Sequence, residues 1–363
     1  MKALLIARLC LVAMILFPLS TLCQNFPLDS IGRLSQAEQV LAYSFIAESN
    51  RNSHSDTALH FAKRAFEIAE KNDRDFSKII SRIALGSVLH VRGSYDLSRK
   101  YYQEALDLSI ILENDSLQAV AHNGIGASHW QQGRHAEALG QHFQSLRIRD
   151  RINDMRGRIV ARNSIGIVYQ SQEKLPLAEK YVREAFRLLN EFDDPSLKMT
   201  TMHTLANIYG MQGKIKDAFA IDQEGLQLAE KTNNELAKSL FYDNMGNCYL
   251  YGDPPDYEKA VEYFTRTLLI DSAFNNKKQM SDSYANLGGV FFHQKKFTDA
   301  IPYLLRCIQL ANESGYVQGK LKALQMLTTA YRQSGRDDQA YDALKDAMRV
   351  KDSLVNISSE NRI

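Results

Sequence analysis

The strongest constraint on this chain is a period of forty residues. An apolar residue followed by a small one recurs as Leu85-Gly86, Ile125-Gly126, Ile165-Gly166, Leu205-Ala206, Met245-Gly246, Leu287-Gly288 and Leu327-Thr328, at spacings of 40, 40, 40, 40, 42 and 40. A second series, Ala65, Ala105, Ser145, Ala185, Gly225, Thr267, Cys307 and Ala347, keeps the same spacings and adds one unit at the start. Eight units therefore tile residues 36 to 355, and the Gly252-Asp253-Pro254-Pro255 turn accounts for the two added residues in the sixth interval. A period of this length is the mark of a repeat array, so the 363 residues need not divide into separate globular domains.

Inside a unit the apolar spacing is helical, as in Ile125, Ala138, Leu139 and Leu146, and the middle carries a turn signal at Gly93, Gly133, Gly213, Gly252 or Gly335. Glu173 and Lys295 take the place of that glycine in two units. No stretch alternates like a strand. The pattern predicts two helices joined by a short turn, and a lone pair of this kind cannot bury its apolar face without stacking on its neighbours.

These residues resemble tetratricopeptide repeats, whose pattern is a large residue, Leu-Gly, Tyr, Ala, an aromatic and a small residue. One unit supplies Tyr284, Leu287, Gly288, Phe291, Ala300, Leu304 and Cys307 in that order, another Tyr242, Met245, Gly246, Tyr249, Ala260 and Phe264, and a third Ile165, Gly166, Tyr169, Ala178, Val182 and Ala185. The resemblance implies an all-α, right-handed tetratricopeptide-like solenoid of eight helix-turn-helix repeats. The forty-residue unit and the lack of a closing Pro are similar to the longer-helix variety of kinesin light chains, spindle-orientation scaffolds and the extracellular sensor halves of Bacteroidetes regulators.

Ahead of the array, Lys2 and Arg8 precede an apolar run from Leu9 to Phe17 that Pro18, Ser20 and Thr21 break. That is a secretory signal pattern, too short to span a bilayer, and cleavage is expected after Cys23. Acylation of Cys23 is the alternative, and Leu22 stands where a small residue normally precedes a lipidated Cys. Residues 24 to 35 are then a linker and 356 to 363 a tail, and the mature chain is expected to be exported, periplasmic or secreted, with no integral membrane span. Lys plus Arg number 44 against 42 for Asp plus Glu, a balance that argues against a nucleic-acid partner. Cys10, Cys23, Cys248 and Cys307 show no metal or disulfide spacing.

Polar residues recur on the first helices. Asn123, Asn163, His203 and Asp243 lie three before the small residue, and Asn207 and Asn247 one after it. Offsets four apart share a helix face, and in tetratricopeptide proteins that face resembles the concave groove. An amide carries a donor and an acceptor, so such rows suit an extended peptide backbone. Trp130 and Phe292, four residues further along, are expected as anchors for peptide side chains. The Lys and Asn constellation that clamps a terminal carboxylate is missing, because the equivalent slots hold Ile83, Asn123, Asn163 and His203.

Features that suggest chemistry have plainer readings. His122, His129 and His142 occupy slots filled by Tyr242, Tyr249 and Phe264 in another unit, so they read as packing residues and no metal is expected; His135 stands beside them. Seven Arg between 134 and 162 form an excess of positive charge that reads as a solvated edge. Gly124-Ile125-Gly126 falls in mid-helix with no strand before it, which is not a phosphate loop. No nucleophile, base and oxyanion donor recur together. The expectation is a non-enzymatic, cofactor-free scaffold that binds a protein or peptide in its groove. The alternative is the sensory ectodomain of a histidine-kinase or helix-turn-helix regulator without its membrane span and output domain, which the stretch from Met348 to Asn356 resembles.

Overall fold

The computed structural model describes residues 31–52, 55–71 and 74–359; the expected signal peptide lies outside them. Sixteen helices follow one another among the described residues: α1 (Gln36–Asn50), α2 (Ser55–Glu70), α3 (Asp75–Val91), α4 (Tyr95–Ile111), α5 (Asp115–Gln131), α6 (His135–Arg151), α7 (Met155–Ser171), α8 (Leu175–Leu188), α9 (Pro195–Met211), α10 (Ile215–Lys231), α11 (Glu235–Leu250), α12 (Tyr257–Ala273), α13 (Lys277–His293), α14 (Phe297–Ser314), α15 (Val317–Gln333) and α16 (Asp337–Ser359). Odd-numbered helices are the first of each hairpin. The chain divides into two compact units, Met1–Asp154 with α1 to α6 and Met155–Ile363 with α7 to α16. Each is a stack of hairpins of the all-α solenoid class, in which a helix packs on its hairpin partner and on the helix after the next turn.

Two elements depart from the expected limits. Ile31 and Leu34, in the stretch expected to be a linker, are buried against Ala42 of α1. Helix α16 runs on to Ser359, past residue 355 where the array was expected to end.

The turns explain the period. Within hairpins the backbone turns left-handed at Gly93, Gly133, Gly213 and Gly335, with φ between 70° and 79°, and at Glu173 and Lys295, with φ of 58° and 59°. The Gly93 N–H donates to His90 O at 3.0 Å and the Ser94 N–H to Leu89 O at 2.9 Å, which satisfies the carbonyls that the helix end leaves over. Gly252 behaves differently. Its loop closes through the Asp256 N–H on Tyr249 O at 2.9 Å, and glycine is needed because a Cβ would stand 2.8 Å from Cys248 O. A second left-handed series, which the glycine pattern does not reveal, joins one hairpin to the next at Glu113, Asn153, Asn233, Asn275 and Gly315. Asparagine tolerates that conformation better than most side chains. At three of these turns the following residue caps the next helix: Asn114 accepts from the Leu117 N–H at 3.0 Å, Asn234 from the Ala237 N–H at 3.0 Å and Asn276 from the Gln279 N–H at 3.3 Å.

The small residues sit where helices cross. A Cβ on Gly166 would lie 2.3 Å from Val182 Cγ2, one on Gly126 2.8 Å from the His142 ring, and one on Gly246 2.6 Å from Phe264. Each glycine thus faces a large residue sixteen or eighteen positions later, on the second helix of its own hairpin. That contact sets the helix separation and repeats along the chain.

Candidate functional site

Helix α5 carries Asn123 and Trp130, both half-buried. Asn123 is already engaged, because His142 Nδ1 lies 2.9 Å from its Oδ1. Burial pulls the His142 ring down to about 4, so it is neutral and its Nδ1–H donates to that oxygen. His122 is held by Gln141 at 2.7 Å. Part of the Arg-rich segment is paired: Arg149 to Asp154 at 2.5 Å and Arg151 to Asp115 at 2.6 Å in the first compact unit, and Arg162 to Glu184 at 3.4 Å in the second. On α13, Phe292 packs edge-to-face on Phe297, ring centroids 5.3 Å apart, against the core that holds Ala300 and Leu304.

In the second compact unit the polar row becomes a ladder between repeats. His203 on α9 is flanked by two amides, Asn244 Nδ2 of α11 3.2 Å from its Nδ1 and the Asn207 amide 3.1 Å from its Nε2. Burial lowers His203 to about 4, so the ring is neutral, with one N–H and one acceptor. Asn244 spends its two amide protons on His203 Nδ1 and on Asp222 Oδ1, the latter at 3.0 Å. Nε2 is therefore assigned the ring proton, and the Asn207 amide, whose Nδ2 stands 3.1 Å from Nε2, is assigned with its oxygen and nitrogen exchanged so that it accepts that proton. One repeat on, Asp243 Oδ1 accepts from Asn286 Nδ2 of α13 at 2.6 Å and Oδ2 from Asn247 Nδ2 at 3.2 Å. Asn163 on α7 is 7 % exposed, and its Oδ1 is buried with no hydrogen-bond donor near it.

The carboxyls of this ladder are unusual acids. Burial raises Asp222 to about 8, with the Asp243 charge adding to the effect and the Asn244 hydrogen bond opposing it. Asp243 is raised to about 7 by burial and by Asp282, and Asp282 to about 6 by burial against the pull of Lys278. Near neutral pH Asp222 therefore keeps its proton and acts as a neutral hydrogen-bonding partner, Asp243 holds one about half the time, and Asp282 is mostly ionised. Asp222, Asn244, Asp282 and Asn286 escaped the sequence reading. The recurrence of Asn244 and Asn286 at the 42-residue spacing, one position after the expected row, is the signal that could have found them.

Nothing in this arrangement is poised for nucleophilic chemistry. Burial pushes the Cys248 thiol up to about 12 and raises Cys307 as well, so both stay protonated. Among the described residues no group of three or more His, Cys, Asp or Glu could hold a metal ion. No described helix is long and apolar enough to cross a membrane.

Solved structures share the fold. A Rap protein complexed with competence and sporulation factor matches with a TM-score of 0.57 at 12% identity, over 88% of this chain and 99% of that one. The Rap conjugation gene regulator of plasmid pLS20, in complex with the Phr* peptide, gives 0.65 at 14% identity, over 81% and 79%. A signal transduction ATPase with numerous domains from Pyrococcus horikoshii, with a tetratricopeptide repeat sensor, gives 0.56 at 14% identity, over 94% of this chain and 54% of that one. The family model for the tetratricopeptide repeat matches residues 77–151, 157–231 and 279–353, more than half of the sequence. Those segments contain the hairpins whose glycines meet Tyr102, His142, Val182 and Leu304 at the recurring crossing, and the chain belongs to the tetratricopeptide repeat family.

Proposed function

We propose that this protein is an exported, non-enzymatic scaffold that binds a protein or peptide on the face carried by its first helices. The observation that carries the reading is the ladder from His203 to Asn286. Side chains of adjacent repeats hold one another sideways, so half-exposed amides stand at fixed orientations before any ligand arrives. With its oxygen turned to His203, Asn207 keeps its NH₂ as a donor for a peptide carbonyl, while Asn163, whose Oδ1 is buried without a donor, accepts from a peptide N–H once its side chain turns outward. The Rap structures, one complexed with competence and sporulation factor and one with the Phr* peptide, supply the class of ligand. Export rests on Lys2, Arg8 and the apolar run to Phe17.

Selection of short peptides on the purified mature chain tests the binding surface. Enriched peptides should lose about ten-fold in affinity, or more, in the Asn163→Ala, Asn207→Ala variant, as two hydrogen bonds of about 0.5–1.5 kcal/mol each require. Glu224→Ala with Gln227→Ala, on the exposed face of α10, should leave affinity alone. Equal binding by the Asn variant would move the site elsewhere. Mass spectrometry of the mature product should find it starting near Gln24, and a retained Met1 would count against export.

A second reading, the sensory half of a signal-transduction regulator, draws on the tetratricopeptide sensor of the Pyrococcus horikoshii protein. The coding sequence immediately downstream decides it: a kinase or helix-turn-helix domain there supports the sensor, an unrelated gene the free scaffold.

A further inference from the structure

One row of the ligand face loses its side chain in a single repeat. In the second compact unit the position one after the small residue holds Ile167, Asn207, Asn247, Gly289 and Thr329. Gly289, in α13, is buried, yet a Cβ built on it would meet only Met326 Cε, at 3.8 Å. Gly246 and Gly288 differ, with Phe264 at 2.6 Å and Leu304 at 3.1 Å from the same point, so the space at Gly289 is a recess and not a helix crossing. Two contacts between repeats bracket it. Three residues before Gly289, Asn286 Nδ2 donates to Asp243 Oδ1 of α11 at 2.6 Å. Four residues after it, the exposed His293 ring meets the exposed Tyr251 ring edge-on, centroids 5.3 Å apart. Asp243, Asn247 and Tyr251, spaced four apart, form the α11 wall, and the Met326 methyl stands on the α15 side. Asn247 folds back along its own helix, its Nδ2 3.0 Å from Asp243 O. The result is a trough about 10 Å long, floored by a bare backbone, aromatic at one end and acidic at the other.

On the reading of this face as a peptide site, we infer that the trough seats one long basic side chain of the peptide, Lys or Arg, with its methylene stem over Gly289 against Met326 and its cation at Asp243. Such a side chain is apolar along its stem and charged at its tip, which matches the two ends of the trough. A carboxylate that accepts from two neutral amides, Asn286 and Asn247, has lone pairs left for a charged donor. Charge complementarity selects the cation. Around Asp243 stand Asp222 of α10, Asp271 of α12, Asp282 of α13 and, with the opposite sign, Lys322 of α15. Lys278 acts on Asp282 and lies 4.8 Å over the Tyr316 ring. These cations do not balance the acids: burial and Asp282 raise Asp243 to about 7 in spite of the exposed Lys322, and burial raises Asp282 to about 6 in spite of both lysines. A ligand cation in the trough supplies the missing compensation.

Selection from a library of random short peptides on the purified mature chain tests the inference. Enriched sequences should carry Lys or Arg at one fixed position, and norleucine there in the synthetic peptide should weaken binding by about ten-fold or more. Gly289→Asn installs the residue of the two preceding repeats in open space, so thermal unfolding should stay unchanged while the basic peptide loses a similar factor. Asp243→Asn, which keeps an acceptor for Asn286, should erase the preference for Lys over norleucine. Because the cation pairs with the ionised carboxyl, affinity for the Lys peptide should rise about ten-fold from about pH 6 to about pH 8, and much less in the Asp243→Asn variant. An apolar or aromatic residue at the fixed position overturns the inference. So does a Gly289→Asn variant that binds normally the peptides that Asn163→Ala with Asn207→Ala weakens, and in both cases the peptide-binding reading stands. A library that yields no enriched peptide, or peptides that none of these substitutions weakens, overturns both.

Discussion

Replacing Gly166 by Ala adds one methyl group at a place where the fold has no room for it. The new Cβ would stand 2.3 Å from Val182 Cγ2 and 3.3 Å from Ala178 O, against about 3.5–4.0 Å for a relaxed carbon contact. Val182 is fully buried and β-branched, so in α8 it has one comfortable χ1. Turning it away costs about 0.5–1.5 kcal/mol, and moving the helices instead forfeits packing on both sides, so the overpacking cost is about 1–3 kcal/mol. Alanine offsets up to about 1 kcal/mol of this through its better helix propensity. The net expectation is a loss of about 1–2 kcal/mol. A Cβ on Gly140, in α6, would meet nothing within 4 Å, so Gly140→Ala should instead gain up to about 1 kcal/mol. Chemical denaturation followed by circular dichroism separates the two, with the slope checked for constancy because repeat arrays can lose cooperativity. Val182→Ala removes the clashing methyl; in that background Gly166→Ala should cost nothing, a coupling of about 1–2 kcal/mol. Additive effects, or a Gly166→Ala variant stabilised like Gly140→Ala, would refute the idea that close helix crossings explain the small-residue period.

Three further outcomes are expected. The His142 ring titrates at about 4 in the folded state and near 6.5 when unfolded, so the unfolded chain binds the proton first and stability is lost as pH falls from 6.5 toward 4. His142→Phe, matching Phe264 at the equivalent position, should remove about 2 kcal/mol of the difference between pH 7 and pH 5, read by thermal or urea unfolding; an unchanged pH dependence would mean that the ring is charged in the fold. Asp222, raised to about 8, has the opposite sign: the folded carboxyl keeps its proton to higher pH than the unfolded one, so stability falls as pH rises from 3.8 toward 8. Asp222→Asn should therefore raise the melting temperature more at pH 8 than at pH 5, and an equal shift at both would overturn that assignment. A chelator should leave the melting temperature unchanged, since His122 and His142 are occupied by Gln141 and Asn123; a drop of several degrees would reveal a metal among the histidines of α5 and α6.

The hairpins and their register were legible because they depend on short-range features that recur. A glycine marks a left-handed turn, a small residue marks a crossing, and apolar spacing marks a helix. The second left-handed series was harder to read, since Asn and Glu also stand in helices and at caps, and φ is a property of the folded turn. For the candidate residues, placement on the first helix of a hairpin was legible. Asn123, Asn163, His203, Asn207, Asp243 and Asn247 do sit on first helices, and Trp130 and Phe292 stand further along them.

Fold class, repeat length and the residues that turn toward a neighbour follow from the order of amino acids alone, because helical periodicity and steric need at a turn are local. What those side chains touch depends on how the hairpins stack. Asn207 meets His203, Asp243 meets Asn286 across 43 residues, and Phe292 is drawn into the packing around Phe297. The protonation of Asp222 and the exposure of Leu344 likewise depend on which helix covers each position. Periodicity makes Leu304 and Leu344 equivalent in the sequence; the one has α15 packed over it and the other has no following hairpin among the described residues, and that difference exists only in three dimensions.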